Sequence, residues 1–196
     1  AAVTSLTWGL TGIFVRRLPS FSPLTITTGR LLIGLAAAIP LLLALGDTRR
    51  GVLAALKQPV AYLLALLLAG YYLLATAAFQ MAPVADVALL ISTTPLFVLA
   101  IRWLRGRPPA RAEIGGALLA MGGMAVILAP RMSFSGEAPV HQVYGHFFAI
   151  CAAALTAIYA SIYRILSERN RAPDASGVSV LTFALGSAIL ISTLAL

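Results

Sequence analysis

A row of polar side chains lies within an apolar, uncharged stretch in the first half of the chain. Tyr72, Thr76 and Gln80 follow one another at intervals of four residues, so they share one face if this stretch is helical. Because an unsatisfied polar group in hydrocarbon costs several kcal/mol, that face must point towards protein or water. The spacing therefore predicts one wall of a path for a small polar molecule.

Two further stretches carry polar side chains in a helical pattern. Thr156, Tyr159 and Tyr163 stand at positions i, i+3 and i+7. Thr94 precedes Pro95, whose missing N–H leaves the carbonyl of residue 91 without its helical donor and predicts a helix kink. The alternative for the hydroxyls around this proline is a bond back to their own helix or to a neighbouring helix. The residues predicted to line the path are Trp8, Arg30, Tyr72, Thr76, Gln80, Thr94, Tyr159 and Tyr163.

Arg30 is a cation inside a predicted helix over residues 23–45. It stands about seven residues from the helix start and hence roughly 10 Å deep. An arginine at the centre of a membrane helix costs about 2.5–3.5 kcal/mol, and less where the side chain can reach outward. Two interpretations stay open, namely structural pairing with backbone carbonyls and a role in the path. Asp86 is a candidate partner, although a solvated loop position is the favoured prediction for this acid.

The elements that position these side chains are seven long runs without charge. Only 10% of the residues are charged and 60% are hydrophobic, whereas a soluble chain is about 25% charged. A helix needs roughly 20 apolar residues to cross hydrocarbon, and several runs reach or approach this length. The predicted fold is an all-α polytopic membrane helix bundle with seven helices. They cover residues 1–15, 23–45, 59–82, 87–101, 112–129, 143–166 and 175–196.

Positive charge alternates between the gaps that separate these runs. Ten of the 14 basic residues lie in three alternate gaps. Because short loops rich in Lys and Arg stay in the cytoplasm, the pattern predicts a cytoplasmic N-terminus and a multi-pass position in the cytoplasmic (inner) membrane. These ten residues are Arg49, Arg50, Lys57, Arg102, Arg105, Arg107, Arg111, Arg164, Arg169 and Arg171.

Several chemistries have no support in the sequence. The net charge of +8 does not come from a clustered basic patch with interleaved aromatics, so no nucleic-acid partner is predicted. Metalloprotease, nucleophile-elbow and phosphate-loop motifs are missing, so no enzyme is predicted. His141 and His146 lack further ligand-type residues at metal spacing, so an interfacial position is favoured over a metal site. No cofactor is predicted, and Cys151 inside an apolar run is a predicted core residue.

Small residues recur every four positions on three of the predicted helices. In lipid, such rows let helix backbones approach closely, because hydrocarbon gives no hydrophobic drive for apolar helices to associate. We therefore predict three buried packing faces. One comprises Ala149, Ala153, Ala157 and Ser161, a second comprises Ala184, Ala188 and Ser192, and a third comprises Ala112, Gly116 and Ala120.

Several short motifs follow one another along the chain. They are Trp8-Gly9, Arg16-Arg17, Ser22-Pro23, Arg30, Ala77-Ala78, Pro83, Ala85, Thr94-Pro95-Leu96-Phe97, Glu113-Ile114-Gly115-Gly116 and Gly122-Gly123. In this order they resemble an EamA-type domain of the drug/metabolite transporter superfamily. The resemblance implies a ten-helix transporter of two five-helix repeats, with residues 1–130 as the first repeat and residues 143–196 as the start of the second. Because five is odd, the second repeat is inverted, and the chain is expected to be a portion of a longer protein.

The resemblance implies a secondary transporter that moves small metabolites, amino acids or drugs by alternating access, with export ahead of import. Its expected partners are a small-molecule substrate and the lipid bilayer, with a homodimer left open. The alternatives are a carrier like the small multidrug-resistance proteins, a sugar or nucleotide-sugar carrier, and a structural membrane subunit. Small multidrug-resistance proteins carry a glutamate in their first helix, whereas no acid precedes Asp47 here. No acid lies in a predicted span from Pro59 onward, which favours exchange or downhill movement over proton coupling.

Overall fold

The computed structural model describes residues 11–128 and 140–195, which form helices joined by short links. No strand occurs in these ranges, so the predicted all-α class is confirmed. Residues 11–16 are helical and are called α1. The other helices are α2 (Pro23–Ala44), α3 (Gly46–Leu56), α4 (Pro59–Met81), α5 (Val84–Ile91), α6 (Thr94–Leu104), α7 (Arg111–Leu128), α8 (Val140–Glu168) and α9 (Ala175–Leu194).

Five segments in the described part of the chain are long and apolar enough to cross a membrane. They include α5 and α6 together, since these two helices form one apolar segment that is interrupted at Ser92 and Thr93. The predicted polytopic membrane helix bundle is therefore confirmed. The first predicted helix lies mostly outside the described residues. The five segments are Pro23–Ala44, Pro59–Met81, Val84–Leu104, Val140–Glu168 and Ala175–Leu194.

Two of these helices begin at capping residues that the sequence itself provides. The Ser22 hydroxyl accepts a hydrogen bond from the Thr25 N–H at 3.1 Å, and Pro23 stands in the first turn, where a missing N–H has no cost. Asp174 caps α9 by accepting from the Gly177 N–H at 3.1 Å. The Ser176 hydroxyl also donates to this carboxylate, and that bond holds the pKa of Asp174 below its usual value.

The basic residues of α3 were predicted to lie in a cytoplasmic gap between helices, but the structure places them in a helix. Its charged first half is exposed, whereas Ala55 near its end is fully buried. Gly177 on α9 faces Ala55 so closely that a Cβ there would lie 2.5 Å from the Ala55 Cβ. The helix forms because it packs on α9, a contact that the local charge pattern does not show.

The chain folds into two compact units. The first unit comprises Ala1–Phe21 and Leu74–Ile158, and the second comprises Ser22–Leu73 and Tyr159–Leu196. The long helices α4 and α8 therefore contribute one part to each unit.

The second unit is built where α9 packs against α2 and α3. Its apolar core is fully buried at Leu64 and Val178, which come from α4 and α9. Gly186 provides close approach between helices, since a Cβ at this position would lie 2.7 Å from the Leu31 side chain. Small residues thus let the helices of this unit approach one another closely.

The first unit has its own core at the start of α5. Val87 is fully buried against Ala78, Ala82 and Ala149, which come from α4, the following link and α8. Gly145 lies one turn before Ala149, and a Cβ there would approach Ala82 to 2.7 Å. The α7 helix packs against α5 and α6 in the same unit.

One of the three predicted small-residue faces is buried and the other two are not. Ala149, Ala153 and Ala157 are fully buried, and Ser161 is nearly so, which confirms the face on α8. The predicted face on α7 is wrong, because Ala112, Gly116 and Ala120 are exposed. The predicted face on α9 is wrong too, because Ala188 and Ser192 are exposed. That helix buries a different side, which comprises Gly177, Val178, Leu181, Thr182, Gly186, Ser187 and Leu190.

Candidate functional site

In the second unit, Arg30 and Tyr72 come together from two different helices. The Arg30 Cζ on α2 lies over the ring of Tyr72 on α4, 5.5 Å from the ring centroid. Both side chains are half-buried, and the buried Tyr71 ring lies 5.5 Å from that of Tyr72. A guanidinium over an aromatic face gains about 0.5–2 kcal/mol and still presents N–H groups at its edge. Such an edge is suited to binding a carboxylate in two parallel hydrogen bonds.

Tyr159 and Tyr163 form a second aromatic pair in the same unit. Their rings are stacked on α8 with centroids 5.9 Å apart, and both pack against the apolar core of this unit. The Tyr163 hydroxyl donates to the Pro173 carbonyl at 3.2 Å, so it holds the link that leads into α9. An open groove of about 470 Å³ runs beside the pair and is lined by Tyr159, Ala160, Tyr163, Arg164, Ser167 and Glu168.

The remaining polar residues predicted on α4 belong to the first unit. Thr76 is fully buried. The Gln80 amide nitrogen donates to the Phe21 carbonyl at 2.9 Å, with a longer contact of 3.4 Å to the Leu18 carbonyl. Gln80 therefore holds the segment that precedes α2, which is a structural function in addition to the predicted place in the path.

The helix interruption between α5 and α6 is stabilised by hydroxyl groups. Ser92 and Thr93 donate to carbonyls three residues earlier at 2.6 Å, so these hydroxyls adopt the alternative of bonding to their own helix. Thr94 donates to the Ile91 carbonyl at 2.7 Å. Pro95 lacks the N–H that would otherwise serve this carbonyl, so Thr94 replaces the missing donor.

The prediction that Asp86 is a solvated loop acid is wrong. It stands in the first turn of α5, within the segment Val84–Leu104, and is only 5% exposed. Its Oδ2 lies 3.1 Å from the His146 Nε2 and 3.4 Å from the Gln142 Nε2. Among the described residues, its Oδ1 is buried without a hydrogen-bond partner. The premise that no acid lies in a span after Pro59 is therefore wrong.

The cluster of Asp86, Gln142 and His146 was missed because its members lie far apart in the chain. The His146 side chain is 31% exposed and pairs with Asp86, whereas His141 is exposed, and the interfacial position expected for both stays a prediction. One signal was available. Gln142 and His146 are spaced by four residues and therefore share a face at the start of an apolar helix.

Among the described residues, the structure places two pairs of predicted path residues in ring contact. Arg30 meets Tyr72, and Tyr159 meets Tyr163. Trp8 lies outside the described residues. Within the described ranges, no group of three or more His, Cys, Asp or Glu side chains could hold a metal ion.

Comparison with known proteins gives one family and one solved structure. The model of the EamA-like transporter family matches residues 1–129. A solved structure titled "Crystal structure of protein" is 26% identical, and the match covers 98% of this chain and 68% of that chain with a TM-score of 0.61. No curated protein matches the chain.

Proposed function

This chain belongs to the EamA-like transporter family, and from this premise we propose that it exports small carboxylate-bearing metabolites, amino acids foremost, by alternating access. Membership makes it a membrane transporter of the drug/metabolite type, in a family of transporters and not of enzymes. The substrate class, the direction and the mechanism are the proposal.

The Arg30–Tyr72 pair is the observation that carries the substrate class. A cation within an apolar membrane helix marks a substrate or ion pathway more often than a packing position. The half-buried guanidinium lies over an aromatic ring, which orients its N–H edge. A substrate carboxylate would bind this edge, and the neighbouring tyrosine rings would contact the apolar part of the substrate.

The interrupted segment of α5 and α6 supports alternating access. Broken helices occur in transporters where the backbone lines a cavity, and rigid parts move about such breaks. Here the break at Ser92 and Thr93 is stabilised by hydroxyl groups. The two-repeat division, with residues 1–130 and the inverted residues 143–196, belongs to the same proposal.

The alternation of basic gaps supports the proposed orientation. Arg49, Arg50 and Lys57 lie at and after α3, and further basic residues follow α6 and α8. Loops rich in Lys and Arg stay in the cytoplasm, and this rule supports the proposed cytoplasmic N-terminus and cytoplasmic-membrane location.

The test is a flux screen with the full-length protein in proteoliposomes. Counterflow of radiolabelled amino acids, nucleosides and the cation ethidium is measured for the wild type and for Arg30→Gln. Because a hydrogen bond to a charged group contributes about 1.5–3 kcal/mol, Arg30→Gln should raise the KM for amino acids about tenfold or more. It should leave ethidium flux unchanged, since ethidium offers no carboxylate.

Three further variants separate the charge from the ring and from general damage. Tyr72→Phe keeps the aromatic face and should transport like the wild type, whereas Tyr72→Ala should raise the KM about two- to 30-fold, as loss of about 0.5–2 kcal/mol requires. The matched control is Arg49→Gln, which removes an exposed arginine of α3 in the same unit. Equal amino-acid KM values in Arg30→Gln and Arg49→Gln would refute the proposed substrate site.

A further inference from the structure

The buried pair of Asp86 and His146 in the first unit has no part in the proposed substrate site. We propose that this pair binds the proton whose movement drives transport. The proposal rests on the proposed transport function and adds its energy source, and it replaces the exchange or downhill movement favoured from the sequence.

The geometry leaves the buried Asp86 carboxylate with an incomplete set of hydrogen-bond donors. Asp86 Oδ2 accepts from His146 and Gln142, while Oδ1 is buried without a partner among the described residues. The adjacent Val87 is fully buried with Ala82 and Ala149 around it, so the carboxylate borders an apolar cluster. An ionised carboxylate in such surroundings needs more pairing than one half-exposed imidazole and an amide provide.

One proton changes the charge of this site from negative to neutral. With Asp86 ionised, the His146 Nε2–H donates to Oδ2 and Nδ1 carries no proton, so the site has a charge of −1. A hydronium ion gives its proton to Nδ1 and leaves as water, which produces an imidazolium beside a carboxylate. The loaded site therefore carries no net charge, and hydrocarbon tolerates a close ion pair far better than a lone anion.

Among the described residues, the elements around the pair supply few other ionisable groups, one of which is the half-buried Cys151 on α8. The part of α4 in this unit, residues 74–81, has none, and Asp86 is the one such residue on α5. On α8, His141 and Tyr144 are exposed, and Arg16 and Arg17 at the end of α1 are exposed as well. On α7 and α6 the charged groups are Arg111, Glu113 and Arg102, of which Glu113 pairs with Arg102.

The chemistry of the site favours a proton over a sodium ion. Hard cations take several oxygen ligands, whereas this cluster combines one carboxylate with an imidazole and an amide. Histidine is the side chain whose charge changes near physiological pH, so it is suited to loading and release on opposite sides of a membrane.

The position of the pair links proton binding to helix movement. Asp86 stands on α5, an eight-residue helix bounded by Pro83 and by the interruption at Ser92 and Thr93. His146 stands on α8, which is 29 residues long. A change in charge alters the attraction between Asp86 on this short helix and His146 on the long one, so we expect proton binding to shift α5 relative to α8.

The test measures how far a pH gradient drives accumulation in proteoliposomes of the full-length protein, with a mixture of ¹⁴C-amino acids as the probe. A gradient of one pH unit is worth about tenfold in concentration for one coupled proton. The wild type should therefore reach about a tenfold accumulation ratio. Asp86→Asn and His146→Gln should reach a ratio near one, with counterflow of the same probe measured on the same vesicles to count active protein. The matched control is His141→Gln, one turn away on the same helix, which should accumulate like the wild type.

Several outcomes would overturn the proton site. They are wild-type accumulation that a tenfold sodium gradient drives at equal pH, accumulation by Asp86→Asn that equals the wild type, or wild-type counterflow without any response to pH. If the wild type shows no counterflow of the probe, the proposed transport function itself would be refuted.

A second measurement judges the site without a substrate. In ¹⁵N-histidine NMR spectra of the full-length protein, the His146 imidazole is identified as the signal that His146→Gln removes. The His146 Nδ1 should carry a proton at the lower of the two pH values used for the gradient and none at the higher. The same protonation state at both pH values would exclude the proposal.

Discussion

The contact between Gly145 on α8 and Ala82 at the end of α4 is tight enough for a quantitative prediction. A Cβ at position 145 would lie 2.7 Å from the Ala82 Cβ and 2.9 Å from the Ala82 amide nitrogen. Carbon atoms in good contact stay about 3.5–4.0 Å apart, and Ala82 has no rotatable side chain that could move away. Gly145→Ala must therefore shift backbone, and overpacking of this kind costs about 1–3 kcal/mol.

The expected loss is large enough to measure by thermal unfolding. For a chain of this size, each kcal/mol lowers the melting temperature by about 2–4 °C, so Gly145→Ala should melt about 2–12 °C below the wild type. Cys151 is the sole cysteine of the sequence and is half-buried on α8, so a thiol-reactive dye reports unfolding in detergent.

The matched control for this substitution is Gly122→Ala on α7. A Cβ at position 122 meets nothing within 4 Å, so this variant should change stability by no more than about 1 kcal/mol. If Gly145→Ala melts with the wild type, or if both variants lose the same stability, then α8 does not approach Ala82 as closely as described.

Two further predictions concern a helix cap and the helix interruption. Asp174→Ala removes the cap of α9 and should lower stability by about 1 kcal/mol at neutral pH, whereas Asp174→Asn keeps the cap and should lose less. Because hydrogen bonding holds the pKa of Asp174 below its ordinary 3.8, the stability from its ionised form is present above that pH and is lost as the pH falls through the lower folded value. The deficit of Asp174→Ala should accordingly shrink in acid, as measured by far-UV circular dichroism, and a deficit independent of pH would contradict the cap. Thr94→Val removes the donor to the Ile91 carbonyl and should lower the free energy of unfolding by about 1–3 kcal/mol. In the double variant, Pro95→Ala should restore much of this loss because it supplies a backbone N–H. Additive losses in the double variant would show that Thr94 does not replace that donor.

Much of the secondary structure was predictable because its signals are local. Pro23 and Pro59 begin helices where the sequence places them, since a first-turn proline loses no hydrogen bond. The α3 helix was not predictable, because it is stabilised by the packing of Ala55 against α9 and not by its own charged first half. For the same reason the period of four on α9 indicated the wrong face, since several faces of an apolar helix carry small residues and only the neighbouring helices select one.

The candidate sites were likewise predictable from the sequence only in part. Arg30 was identified from the sequence because a charge in an apolar run is conspicuous, but its aromatic neighbour Tyr72 is known only from the fold. The hydroxyls of Ser92 and Thr93 bond to their own helix, which spacing alone left open.

The sequence by itself determined that this is an all-α membrane protein and a member of the EamA-like transporter family, because hydropathy and motif order are properties of the linear chain. The tertiary structure alone decided the place of Asp86. Next to the Pro83 link, the local sequence favours a solvated loop for this acid, whereas the fold buries it in a pair. The choice depends on α8, which begins more than 50 residues later and covers the carboxylate with Gln142 and His146. Burial is a property of what packs around a residue, and that is fixed by contacts between distant parts of the chain.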